Sequence, residues 1–135
     1  MTNLTKEKAL ITEKVNLMIN DGVIVNVPVD NHVTKLEEKI NQFSKKSYRE
    51  KEKKTIEFMK ALNNFNRLRI LQLLKSGAKC SCELEYTLRL SQPTVSHHVN
   101  ILEKANVVQI IAKGKWRLIE LIESPIIFLV LDQLK

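Results

Sequence analysis

No apolar run in this chain approaches the ~20 residues needed to cross a bilayer, which excludes a helical membrane span. An export signal is also missing. The start, M-T-N-L-T-K-E-K, mixes acidic and basic residues and leads into no apolar block, so the cytoplasm is the expected compartment. Cysteine is scarce. Cys80 and Cys82 stand one residue apart and cannot build a disulfide framework. In a reducing cytosol such a pair reads as metal-binding or redox chemistry. There is no internal repeat and no low-complexity tract. Acidic residues are outnumbered, 15 against 22 basic, which leaves a net charge of +7. That balance favours polyanionic partners, nucleic acid first and an anionic membrane surface second.

Glycine and proline number three each, and they fall at breaks. An amphipathic helix over residues 1–20 stops at Asp21-Gly22. The valine-rich alternation V-I-V-N-V-P-V that follows predicts a short strand or extended arm, with Pro28 confining it to an edge. His32 reads as a solvated loop residue. From about Val33 the chain becomes helical and heavily charged, with Leu36, Ile40 and Phe43 as a thin apolar seam. This is a solvated helix with salt-bridged faces, or an arm for a partner subunit. Residues 1–54 are therefore expected to form an N-terminal extension, and residues 55–135 the compact domain.

Within that domain I-E-F-M-K-A-L-N-N-F predicts a helix with Ile56, Met59 and Leu62 inward. The next helix turns Leu68, Ile70, Leu71 and Leu74 inward and stops at Gly77. Cys82 to Leu90 gives a short helix, and a brief turn leads to L-S-Q-P-T-V-S-H-H-V-N-I-L-E. Ser91 is a natural N-cap there, and Pro93 sits in the first turn, where a missing N–H costs nothing. Val95, Val99 and Leu102 form one apolar stripe, while Gln92, Thr94, Ser96, His97 and Asn100 make an uncharged polar face. Such a face suits the major groove, whose base edges present paired donors and acceptors. His98 lies nearer the apolar stripe and reads as a hydrogen-bonded packing histidine. Two helices joined by a tight turn, the second with a reading face, make a helix-turn-helix.

Beyond Asn106, V-V-Q-I-I-A and W-R-L-I-E-L read as two strands around a turn at Gly114. Lys113, Lys115 and Arg117 at that tip suit DNA phosphates. The terminal S-P-I-I-F-L-V-L-D-Q-L-K is apolar nearly all round. It needs burial on more than one side, which suggests a subunit interface. The expected fold is mainly α with a small two-stranded wing: a winged helix-turn-helix plus an N-terminal extension.

Ala61 to Leu121 resembles the ArsR/SmtB family of small repressors, through A-L-N-N-F-N-R-L-R-I-L-Q-L-L, C-S-C-E-L, L-S-Q-P-T-V-S-H-H-V-N-I-L-E-K-A-N-V-V and the K-G-K hairpin. Asn106 stands where that family usually has glycine. Asparagine tolerates a left-handed backbone, so the turn is expected to survive. The resemblance implies a homodimer on a double-stranded operator, with Ser91, Gln92, Thr94, Ser96 and His97 facing DNA and Lys113, Lys115 and Arg117 holding phosphates. It implies no catalysis, no nucleotide or other required cofactor, and no membrane partner.

The same resemblance puts Cys80 and Cys82 where arsenic-sensing members carry a C-x-C. Thiolates are soft donors, and a helix N-terminus with Lys79 nearby favours the thiolate form. On a regular helix the two side chains would point about 160° apart, so joint binding requires the helix start to distort. A third cysteine one turn later is replaced by Glu85, and four-coordinate zinc is poorly supplied. The expected effector is trivalent arsenic or antimony, or another thiophilic ion, releasing a repressor from its operator. The alternative is a regulator gated by thiol redox state or by a protein partner acting through the extension. A dithiol redox enzyme is disfavoured, since neither C-x-x-C nor a thioredoxin-like βαβ pattern is present.

Overall fold

Helix caps and breaks set the order of elements. The computed structural model describes residues 3–24 and 28–135. These fold as α1 (Asn3–Asn20), α2 (Val29–Ser44), α3 (Lys46–Leu62), α4 (Phe65–Leu74), β1 (Lys79–Cys80), α5 (Ser81–Leu88), α6 (Gln92–Lys104), β2 (Val108–Lys113), β3 (Trp116–Leu121) and α7 (Pro125–Asp132). The architecture is a mainly helical winged helix-turn-helix with additional N-terminal helices. Two compact units result, Met1–Lys51 and Glu52–Lys135. The division falls inside α3, as does the one expected after residue 54.

In the first unit α1 and α2 bury Val15 and Val33, and Lys8 pairs with Glu37 at 2.7 Å. Both partners of that ion pair are exposed, so it adds little stability. The extended arm expected around residues 23–29 meets a different outcome at each end. The amides of Val23 and Ile24 donate to the Met18 carbonyl and close the end of α1, while Val29 already belongs to α2. A helix end has orphan carbonyls to satisfy, and that demand outweighs the local alternation. Val25 to Val27 lie outside the described residues. His32 is in α2, not in a loop. Lys45, in extended conformation, breaks α2 from α3. From there the Lys/Glu-rich tract runs without interruption into I-E-F-M-K-A-L, because those charged residues are good helix formers.

The second unit is organised around one apolar core. Ile70, Leu71 and Leu74 of α4 and Leu84 of α5 meet Val95, Val99 and Leu102 of α6. Val107, Val108, Ile119 and Leu121 close the sheet side, and Ile127 and Leu131 of α7 close another. Burial of each such side chain is worth about 1.5–3 kcal/mol relative to exposure. Helix α3 contributes Ala61, with Phe58 and Leu62 partly buried. The expected inward pair, Ile56 and Met59, is instead 51% and 62% exposed. Residues 55–62 carry two apolar faces at helical spacing, and the core takes the one bearing 58, 61 and 62.

Local chemistry explains the joints. The Asn64 side chain accepts from the amides of Asn66 and Arg67 and starts α4. Arg89 and Asn106 both adopt left-handed φ of 57°, ending α5 and the turn after α6. At Asn106 this is the tolerance expected of asparagine. The sheet has strand order β1-β3-β2, all antiparallel. The hairpin is therefore joined by a third, two-residue strand, with Cys80 opposite Leu118, which is too short to leave a pattern in the sequence.

Candidate nucleic-acid interface

The core stripe of α6 dictates which of its residues face outward. With Val95, Val99 and Leu102 buried, Ser91, Gln92, Ser96, His97 and Asn100 are exposed and Thr94 is half-buried. Ser91 holds the N-cap position, but its hydroxyl pairs with the Thr94 hydroxyl at 2.8 Å instead of capping a first-turn amide. That pairing ties two of the predicted contact residues to one another.

The wing supplies the cations. Lys113 pairs across the hairpin with Trp116, and Ala112 with Arg117, around a turn in which Gly114 has φ 59°. Lys113, Lys115 and Arg117 are all exposed. Strand alternation puts Arg117 on the same face as Ile119 and Leu121, the face turned toward α6. Gln92, Ser96 and Asn100 of α6 and Arg117 of β3 accordingly line one open cleft of about 330 Å³, with Val99, Ile110 and Ile119 beneath. The structure thus joins part of the expected reading face to one expected phosphate contact. Lys113 and Lys115 stand apart from the cleft at the tip, where the Lys115 ammonium lies 5.3 Å from the Trp116 ring centre. Trp116 is 56% exposed, a contact candidate the strand pattern did not single out.

His98 is 7% exposed, as its place beside the apolar stripe predicts. Its Nδ1 lies 3.2 Å from Arg67 Nη1. Guanidinium has only donors, so Nδ1 accepts, and the neutral ring carries its proton on Nε2. Burial, the Arg67 charge and the neighbouring His97 hold the His98 pKa below its ordinary value. Arg67 also donates from Nε to the Ala61 carbonyl at 2.6 Å and from Nη2 to the Lys60 carbonyl at 3.2 Å. Sequence reading did not identify Arg67 as part of the site, since its partner on α6 lies 31 positions away.

Cys80 and Cys82 are joined to each other as a disulfide. Cys80 is not helical. It is the extended N-cap of α5 and the last residue of β1, whereas Cys82 lies in the first helical turn. The about 160° divergence expected of two helical residues therefore does not apply, because only Cys82 is helical. The Lys79 ammonium bonds to the Gly77 carbonyl and Ser76 hydroxyl, at 3.1 and 3.4 Å. The charged group beside the pair is Glu83, with its Oε1 3.5 Å from Cys80 Sγ. Among the described residues no group of three or more His, Cys, Asp or Glu side chains is arranged to hold a metal ion. None of the described helices is long and apolar enough to cross a membrane.

A recognition helix with a polar outer face, a helix packed across it and a basic hairpin beside it define a winged helix-turn-helix DNA-binding protein. Residues 65–109 match the model of the family described as bacterial regulatory protein, arsR family. An HTH-type transcriptional regulator of Methanocaldococcus jannaschii is 38% identical over 78 residues, covering 57% of this chain and 88% of the relative. The arsenical resistance operon repressor of Staphylococcus aureus is 46% identical over 44 residues, 33% of this chain and 42% of that protein. Among solved structures, a homodimeric winged helix-turn-helix domain of Mycobacterium bovis, described as a possible ArsR-family regulator, shares the fold. Its TM-score is 0.61 at 21% identity, covering 67% of this chain and 85% of that one. The chain belongs to the ArsR family. It is a DNA-binding transcriptional regulator, and members of this family are not enzymes.

Proposed function

We propose that this protein is a homodimeric cytoplasmic repressor that leaves its operator when reduced Cys80 and Cys82 bind a thiophilic metalloid, arsenite or antimonite. The observation that carries the reading is the position of the pair. Cys80 ends β1, which pairs with β3 of the wing, and caps α5, which packs against α6. Any change of bonding at these sulfurs pulls on both elements assigned to DNA. The two thiolates supply two soft donors, and a small thiol or water completes the set. At the interface Gln92, Ser96 and His97, with Ser91 and Thr94 at the start of α6, read base edges. Lys113, Lys115 and Arg117 hold phosphates. Two such helices in a twofold dimer meet half-sites about 34–36 Å apart.

The bonded sulfurs favour a second reading, in which oxidation is the signal. Two thiols lose two electrons and two protons to an oxidant of the disulfide or diazene class, and the Cys80–Cys82 bond forms. One experiment separates the two. Binding to a duplex from the protein's own promoter is measured by fluorescence anisotropy for the reduced protein, with arsenite, with diamide, and for the Cys80→Ser/Cys82→Ser variant. Release by arsenite in wild type alone supports metalloid sensing. Release by diamide alone supports the redox reading. If neither agent moves wild type, the pair has no sensing role.

A further inference from the structure

We propose that Arg67 is a positioning residue for operator reading, fixing α6 against the end of α3 by way of His98. This rests on α6 being the reading helix. The guanidinium makes three bonds to two other elements. Nε and Nη2 donate to the Ala61 and Lys60 carbonyls of the last turn of α3, and Nη1 donates to His98 Nδ1 on α6. Its own backbone is held as well, because the Arg67 amide donates to the Asn64 side chain at 3.1 Å. The side chain is therefore restrained at both ends, and a planar fork keeps its three donors in fixed relation. His98 in turn is buried, and its neighbour on the helix, His97, is an exposed residue of the reading face, with ring centres 5.5 Å apart. A helix fixed at this point presents Gln92, Ser96 and His97 in one register.

Apolar packing alone would leave that register less sharply defined. Val95, Val99 and Leu102 tolerate small rotations of α6 that a three-bonded guanidinium does not. Base-edge bonds from α6 depend on its rotation, whereas the phosphate contacts assigned to the wing lie on other elements and carry no sequence information. Loss of the clamp should therefore lower selectivity while leaving general DNA affinity in place. The clamp also has a sign with respect to pH. Only neutral His98 accepts from Arg67. Protonation removes the acceptor and sets an imidazolium against a guanidinium. Among the described residues the charged or titratable groups acting on the ring are Arg67 from α4 and His97 from α6, and α3 offers the guanidinium the Lys60 and Ala61 carbonyls. Selectivity is then complete above the ordinary histidine pKa of about 6.5 and falls as the pH drops below it.

The test compares a duplex of the protein's own promoter with a random duplex of equal length, using the full chain at one salt concentration. Arg67→Lys keeps the charge but not the fork. It is expected to lose about tenfold or more in selectivity, to stay within about twofold of wild type on the random duplex, and to keep a cooperative melt. His98→Asn, which keeps an acceptor near the place of Nδ1 and cannot be protonated, is expected to retain selectivity and lose the acid sensitivity. Nitrogen NMR of the His98 ring should show the Nε2–H form in wild type. If Arg67→Lys fails to fold, His98→Leu against His98→Asn carries the same comparison. Equal losses on both duplexes, unchanged selectivity in Arg67→Lys, or His98→Leu matching His98→Asn would each overturn the proposal. So would an Nδ1–H ring. A wild type that does not distinguish the two duplexes would overturn the reading role of α6 itself, and shows as such before any substitution is made.

Discussion

Asn106 and Arg89 show how single residues set the geometry of the DNA-binding unit. Both take φ 57°, and Asn106 lies in the turn between α6 and the first strand of the wing. A left-handed backbone costs an ordinary side chain about 1–2 kcal/mol, less for asparagine and nothing steric for glycine. Asn106→Val is accordingly expected to destabilise the protein by about 1–2 kcal/mol, and Asn106→Gly to match or slightly exceed wild type. Urea unfolding followed by circular dichroism checks both. At the carboxyl end of the chain, Lys75 donates to Asp132 at 2.8 Å, and Lys135 lies 3.4 Å from the same oxygen. These partners hold the Asp132 carboxyl below its ordinary range. Their contribution is present at neutral pH and disappears in acid.

At the scale of elements, two features decide how α4, α6 and the sheet meet. One is the Asn64 cap, which satisfies two amides at the start of α4. Asn64→Ala should cost about 0.5–2 kcal/mol in urea unfolding. Because the same cap bonds the Arg67 amide, the substitution should also lower promoter selectivity, though less than Arg67→Lys does. The other feature is β1. Two residues long, it adds an edge strand to the hairpin, so that β3 becomes the central strand of a three-stranded sheet, and it carries Cys80 into that sheet. The helices and the hairpin were legible from periodicity, caps and the Gly114 turn. β1 was not, because two residues show no alternation and exist as a strand only through Leu118 and Ile119. The inward face of α3 was also misread, since residues 55–62 offer two apolar faces and only the core chooses between them.

The whole molecule exposes apolar side chains that its own core does not use. Ile126 and Leu129 of α7 are 60% and 65% exposed while Ile127 and Leu131 are buried, and Ile56 and Met59 of α3 are exposed as well. A helix apolar on both sides is unfavourable in water and is stabilised when a second copy covers the outer side. For the dimer proposed above, Leu129→Asp is expected to give monomer in sedimentation velocity where wild type gives dimer, and to weaken promoter binding by at least about tenfold. A wild type that sediments as a monomer at micromolar concentration would count against the dimer.

Sequence alone determined the family, the helix-turn-helix, the wing and the outward polar face of α6. The family is carried by the resemblance of whole motifs such as L-S-Q-P-T-V-S-H-H. The helices, the wing and the polar face are written in local periodicity, caps and turn residues, which neighbours along the chain decide among themselves. The tertiary structure decided which face of α3 enters the core, that Cys80 leaves the helix to join a strand, and that Arg67 reaches His98 across 31 positions. Those outcomes depend on packing between elements far apart in the chain, and that packing determines which of several locally acceptable arrangements has the lowest free energy.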